Sequence, residues 1–98
     1  MLLASREDVL FYTEQLVQIE SVVNTEGEKA IAEALYAMMS AIPYFQEHPW
    51  QIVKEKTEED ARERYNVLAY MRGRKTAGNP TVLLLGHLDT VGVEDYGR

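Results

Sequence analysis

The 98 residues suffice for one small domain, and 46% hydrophobic with 27% charged residues is an ordinary globular composition that excludes wholesale disorder. Ten Lys and Arg against sixteen Asp and Glu give a formal net charge of -6, the wrong sign for a phosphate-binding face, so nucleic acid is excluded as a partner. The absence of cysteine excludes disulfides and thiolate ligands and leaves histidine and carboxylates as the donors for any zinc.

The N-terminus carries two early leucines and then Arg6, Glu7 and Asp8, which lacks the apolar core of a signal peptide. No apolar run approaches the ~20 residues of a membrane span. The expected location is cytoplasmic, with no membrane partner.

Ser5 is a good N-cap, with Asp8 three residues on. Val9, Tyr12, Leu16 and Ile19 then recur at three- and four-residue spacing, which predicts a helix over about 6–20. Thr25 and Glu28 have the spacing of a capping box and open a second helix. Its apolar stripe is Ala30, Ile31, Ala34, Leu35, Met38 and Ile42, with the Met38–Met39 pair as core filling, and Pro43 stops it.

Residues 50–56 read as a strand with Trp50 and Ile52 on one face, 57–64 as a charged, solvated connection, and 66–72 as a second strand pairing with the first as a hairpin. Gly73, Gly78, Asn79 and Pro80 mark a loop, around which Arg72, Arg74 and Lys75 form the densest basic stretch. Within 81–85, Val82, Leu83, Leu84 and Leu85 are apolar without alternation, the pattern of a strand buried on both faces. The predicted order is two helices followed by three strands, an α/β fold, with no internal repeat.

The third strand runs into Gly86-His87-Leu88-Asp89-Thr90-Val91. Ligands of open α/β sheets gather beyond the carboxyl ends of strands. If strand geometry continues, His87 and Asp89 project to the same side. Imidazole is a good zinc ligand whose other ring nitrogen commonly donates to a carboxylate. Asp89 is placed to accept that bond or to meet a metal-bound water. On spacing alone, the plainer reading is favoured: a strand-end histidine bonded to a neighbouring carboxylate for local structure. His48 reads as a surface residue, and Glu58, Glu59 and Asp60 as a solvated loop. Ser21 and Ser40 lack an evident base, and no glycine-rich phosphate loop is present.

The string Thr81-Val82-Leu83-Leu84-Leu85-Gly86-His87-Leu88-Asp89-Thr90-Val91 resembles the first signature of the M20 metallopeptidase family, an apolar strand ending in Gly-His-X-Asp-Thr-Val. The earlier parts agree in order: an N-terminal helix, Ser21, a capped helix with Gly27 and Glu28, and Asn66-Val67 opening a strand that ends in Gly73. The tail Val93-Glu94-Asp95-Tyr96-Gly97 replaces the usual proline-containing continuation and is similar to the bacterial arginine-utilisation branch.

The resemblance implies the N-terminal part of a zinc-peptidase-like α/β catalytic domain, with residues 1–98 one incomplete domain. His87 is then the ligand of one zinc in a two-zinc site, and Asp89 a member of the catalytic machinery that orients His87. The substrate implied is a small peptide or N-acyl amino acid. The family's bridging aspartate, its Glu-Glu pair, a further carboxylate and a distal histidine are expected beyond Arg98. A catalytic zinc takes three protein ligands and water, so the 98 residues alone are expected to be inactive. The competing expectation is a binding or interaction module of the same fold without a competent metal site. Residues 82–85, apolar on both faces with few elements to cover them, are expected to leave an edge through which the chain self-associates.

Overall fold

Ser5 starts the first helix as its cap. Its hydroxyl accepts from the Asp8 N–H at 3.1 Å, and the Asp8 carboxylate accepts from the Ser5 N–H at 3.2 Å, so two of the helix's orphan donors are satisfied reciprocally. The computed structural model describes residues 5–58, 61–74 and 77–92. In it α1 (Arg6–Val17) and α2 (Gly27–Ser40) are followed by a short α3 (Pro43–Glu47), a 3-10 turn (Pro49–Gln51), β1 (Ile52–Lys56) and β2 (Tyr65–Ala69). The fold is mixed α/β, as expected. Glu59, Asp60, Lys75 and the tail 93–97 lie outside the described residues.

Two prolines account for the middle of the chain. Ile42, held extended at φ −66° and ψ 133° as a residue before proline is, ends the path of α2, and Pro43 opens α3 at a position where no N–H is needed. Pro49 repeats the device for the 3-10 turn. Pro43 thus starts a helix as well as stopping one, and α3 was not expected. The Tyr44 hydroxyl binds this region together, donating to Gln51 Oε1 at 2.5 Å and accepting from the Arg72 N–H at 2.9 Å. His48 is half-buried rather than a free surface residue. Its ring stacks on Tyr44 at 4.4 Å, and its Nδ1 donates to the Tyr44 carbonyl at 2.9 Å.

The hairpin forms as predicted. β1 and β2 pair antiparallel, with Ile52 opposite Ala69 and Lys56 opposite Tyr65. Trp50, however, belongs to the 3-10 turn and is 70% exposed, so it does not share the buried strand face of Ile52. The hairpin packs on α2, and the buried apolar residues among those described are Ile31 and Ala32 of α2, Phe45 of α3 and Ile52 of β1. Ala32 lies off the predicted stripe, whereas Ala30 and Ile42 on it are exposed. The reason is that α2 touches α1, α3 and the hairpin, so its covered arc is wider than one stripe.

The predicted third strand differs most. Residues 81–89 adopt no strand, and among the described residues no ladder pairs with 82–85, whose side chains are exposed. An open cleft of about 760 Å³, lined by Tyr65, Val67 and Leu68 on one side and Leu85 and Gly86 on the other, separates them from β2. A run of four apolar residues encodes burial on two faces, but a strand exists only where its N–H and C=O groups meet a partner. No described helix is long and apolar enough to cross a membrane.

Candidate metal-ligand site

Residues 87–91 are fixed to the fold at one point. The Thr90 N–H donates to the Ser21 carbonyl, and the Thr90 carbonyl accepts from the Val23 N–H, both at 2.8 Å. These bonds form a parallel bridge between Val22 and Thr90. The anchoring strip is itself well held, because Ser21 is buried.

Gly27 permits that arrangement. A Cβ at this position would overlap the Glu20 carbonyl oxygen and lie 3.1 Å from the Ser21 Cα, so the first turn of α2 approaches the preceding backbone as only glycine can. The intervening loop turns through Asn24 at φ 66°, a left-handed conformation that asparagine tolerates. Its N–H donates to the Glu28 carboxylate at 2.7 Å, and Thr25 Oγ1 accepts from the Gly27 N–H at 3.2 Å. Both predicted capping residues therefore act, with backbone partners other than the reciprocal pair expected of them. Arg64 reaches across from the hairpin to Asn24 Oδ1 at 3.0 Å and to the Glu28 carboxylate at 3.4 Å, tying the loop to β2.

At the free side of the anchor, the structure brings His87 and Asp89 together. His87 Nδ1 lies 2.9 Å from the Asp89 carbonyl oxygen and 3.1 Å from Asp89 Oδ1. A carbonyl oxygen can only accept, so Nδ1 carries the proton and is the donor in both contacts. In the neutral ring the lone pair is then on Nε2. The His87 side chain is 85% exposed and that of Asp89 38%. His87 and Asp89 line the cleft beside β2 together with Glu28, Glu55 and Arg64.

This arrangement can present one neutral imidazole nitrogen, with its tautomer set, to a metal ion. Among the described residues, no three His, Cys, Asp or Glu side chains are grouped to hold an ion. The donor set therefore fits one ligand and its orienting carboxylate, short of the three protein ligands of a catalytic zinc. His48 is held by Tyr44, away from this pair. Sequence reasoning missed the Thr90 anchor and the Arg64 clasp. The anchor consists of backbone bonds that leave no trace in residue type. Arg64 lay within a stretch that reads simply as charged.

No protein-family profile and no solved structure matches the chain. It is similar to Protein RocB of Bacillus subtilis (strain 168), 37% identical over 91 residues that make up 93% of this chain and 16% of that protein. Uncharacterized protein YqjN of the same organism is 38% identical over 94 residues, 96% of this chain and again 16% of the relative. The chain is thus similar over almost its whole length to a segment making up 16% of the length of each of these curated relatives.

Proposed function

We propose that the chain is the N-terminal part of a zinc-dependent hydrolase of the M20 type, of the bacterial arginine-utilisation branch, that cleaves a peptide or amide bond in a small substrate such as an N-acyl amino acid. The observation that carries this reading is the tautomer at His87: Nδ1 donates to Asp89 and leaves the Nε2 lone pair for a metal. His87 is one zinc ligand, and Asp89 holds its ring in orientation and raises its basicity. Zinc, when bound, supplies an activated water and polarises the scissile carbonyl. The other ligands and the general base come from the larger part of a polypeptide of the relatives' length. The location that goes with this reading is the cytoplasm.

Two measurements test the assignment. Calorimetric titration of the 98-residue chain with zinc is expected to give no stoichiometric submicromolar site, because one imidazole and one carboxylate do not close a zinc site. In a full-length polypeptide carrying this segment, His87→Ala is expected to lose metal and nearly all turnover. Asp89→Asn keeps the fold but loses about 10–100-fold in metal affinity or rate. An Asp89→Asn enzyme with unchanged rate and full zinc content overturns the role given to this pair.

A further inference from the structure

The backbone acceptor of His87 Nδ1 is the Asp89 carbonyl, at 2.9 Å. The N–H of that same peptide unit belongs to Thr90 and donates to the Ser21 carbonyl at 2.8 Å. A trans peptide unit is a rigid plane with its C=O and N–H opposed. The bond to Ser21 on one side therefore sets the direction of the acceptor on the other. The Thr90 carbonyl, held by the Val23 N–H at 2.8 Å, fixes the next plane. The imidazole is thus oriented from the strip 21–23 as well as from the Asp89 carboxylate.

The strip turns at once into Asn24, whose φ of 66° persists in a residue other than glycine only where the surroundings favour it. Glu28 supplies part of that support, because its Oε2 accepts from the Asn24 N–H at 2.7 Å. Only the φ and ψ of Val23 separate this N–H from the Val23 N–H that holds Thr90. Arg64 supplies the rest: Nη2 donates to Asn24 Oδ1 at 3.0 Å, and Nη1 lies 3.4 Å from the same Glu28 Oε2. The base of this fork is itself fixed. The Arg64 carbonyl accepts from the Thr57 N–H at 3.0 Å, one step beyond the Lys56–Tyr65 pair of the hairpin. The Glu28 side chain is only 13% exposed, an enclosed carboxylate whose partners are the Asn24 N–H and the Arg64 guanidinium.

We propose that Glu28 and Arg64 are positioning residues for the His87–Asp89 pair. They lock the turn at Asn24, the locked turn fixes the Val22–Thr90 bridge, and the bridge aims the Asp89 carbonyl at the His87 ring. That this serves a metal ligand rests on the reading of His87 given above. The coupling from the clasp to Thr90 does not depend on it.

Amide hydrogen exchange of the 98-residue chain, read by NMR, tests that coupling without metal. In Glu28→Ala, Val23 and Thr90 are expected to exchange about 10-fold faster, the loss of one hydrogen bond to a charged group, while the β1–β2 ladder keeps its rate. Glu28→Gln, which keeps an acceptor for the Asn24 N–H, restores part of the protection. Arg64→Met leaves Glu28 and its bond to Asn24 in place and gives the same selective loss, so the test survives a Glu28→Ala chain that fails to fold. Lys29→Met breaks a different tie of α2, that to Glu63, and leaves Val23 and Thr90 unchanged relative to the ladder. In a full-length polypeptide carrying this segment, Glu28→Ala and Arg64→Met lower zinc affinity and kcat about 10-fold with KM nearly unchanged, as loss of an outer partner of a metal ligand does. A solely structural role would instead reduce the yield of folded enzyme and spare both values per folded molecule. Thr90 exchange that follows the ladder in Arg64→Met, or an equal loss of Thr90 protection in Lys29→Met, overturns the proposal. Zinc retained in full by His87→Ala is a separate failure, which removes the metal reading and leaves the coupling to Thr90 intact.

Discussion

At the scale of single residues, two positions carry consequences out of proportion to their size. The Gly27 contact is with backbone, which cannot swing aside as the end of a side chain can. Gly27→Ala in a helix would ordinarily help by removing backbone entropy from the unfolded chain. Here the overlap with the Glu20 carbonyl decides the sign, and the expected loss is about 1–3 kcal/mol, the usual cost of overpacking, read as a lower urea midpoint with an unchanged slope. His87 makes a different prediction. Its two contacts to Asp89 require the proton on Nδ1, so nitrogen-detected NMR at neutral to mildly alkaline pH is expected to show the Nδ1–H tautomer for His87. Asp89→Ala removes the carboxylate acceptor and leaves only the backbone carbonyl, so the Nδ1–H fraction falls. An Nε2–H ring in the unaltered chain would contradict the geometry on which the metal assignment rests.

At the scale of elements, α2 and the hairpin are joined by packing and by charge. Lys29 at the start of α2 bridges to Glu63 beside β2 and lies 4.0 Å from Glu33, while Lys54 of β1 lies 3.9 Å from Glu33 and sits over the Tyr65 ring. The hydrogen bond and charge of Lys29 hold the Glu63 carboxyl below its ordinary value of 4.5, and Glu63 in turn raises Lys29 above its ordinary 10.5. Glu63 therefore favours the folded state above pH 4.5, and that contribution is lost as the pH falls from there through its lowered value. Lys29 favours it below pH 10.5 and loses that contribution as the pH rises through its raised value. Both side chains are more than a third exposed, so solvent and salt screen the pair. Comparing Lys29→Met with the unaltered chain, the gap in urea midpoint is expected at neutral pH. It narrows in high salt and closes as the pH is taken well below 4.5. A gap that persists in acid would mean that the lysine stem, not its charge, holds α2 to the hairpin.

At the scale of the whole molecule, the radius of gyration is 15.9 Å, against about 13 Å for a compact domain of this length. Four buried apolar residues hold the described fold together, and Phe45 is the largest of them. Phe45→Ala is expected to cost about 3–5 kcal/mol, enough to abolish the cooperative transition of a core this small, seen as loss of near-ultraviolet circular dichroism. A Phe45→Ala chain that still unfolds sharply would mean that contacts outside this core provide the stability.

Sequence by itself determined the local structure. Ser5 and Asp8 fixed the start of α1, Pro43 the end of α2, and alternation in 66–69 the second strand of the hairpin, because caps, prolines and pleats act through neighbours a few residues away. The His87–Asp89 contact was equally legible, since two residues on one short segment need no help to meet. Tertiary structure decided what depends on distant partners. It made Pro43 open α3, placed Ala32 in the core, and set Trp50 outside the sheet. It also joined Thr90 to Ser21 through the backbone, which residue type does not encode. Above all it left 82–85 exposed. Four consecutive apolar residues specify that a strand is to be covered on both faces, but whether it is covered depends on surfaces supplied from elsewhere in space.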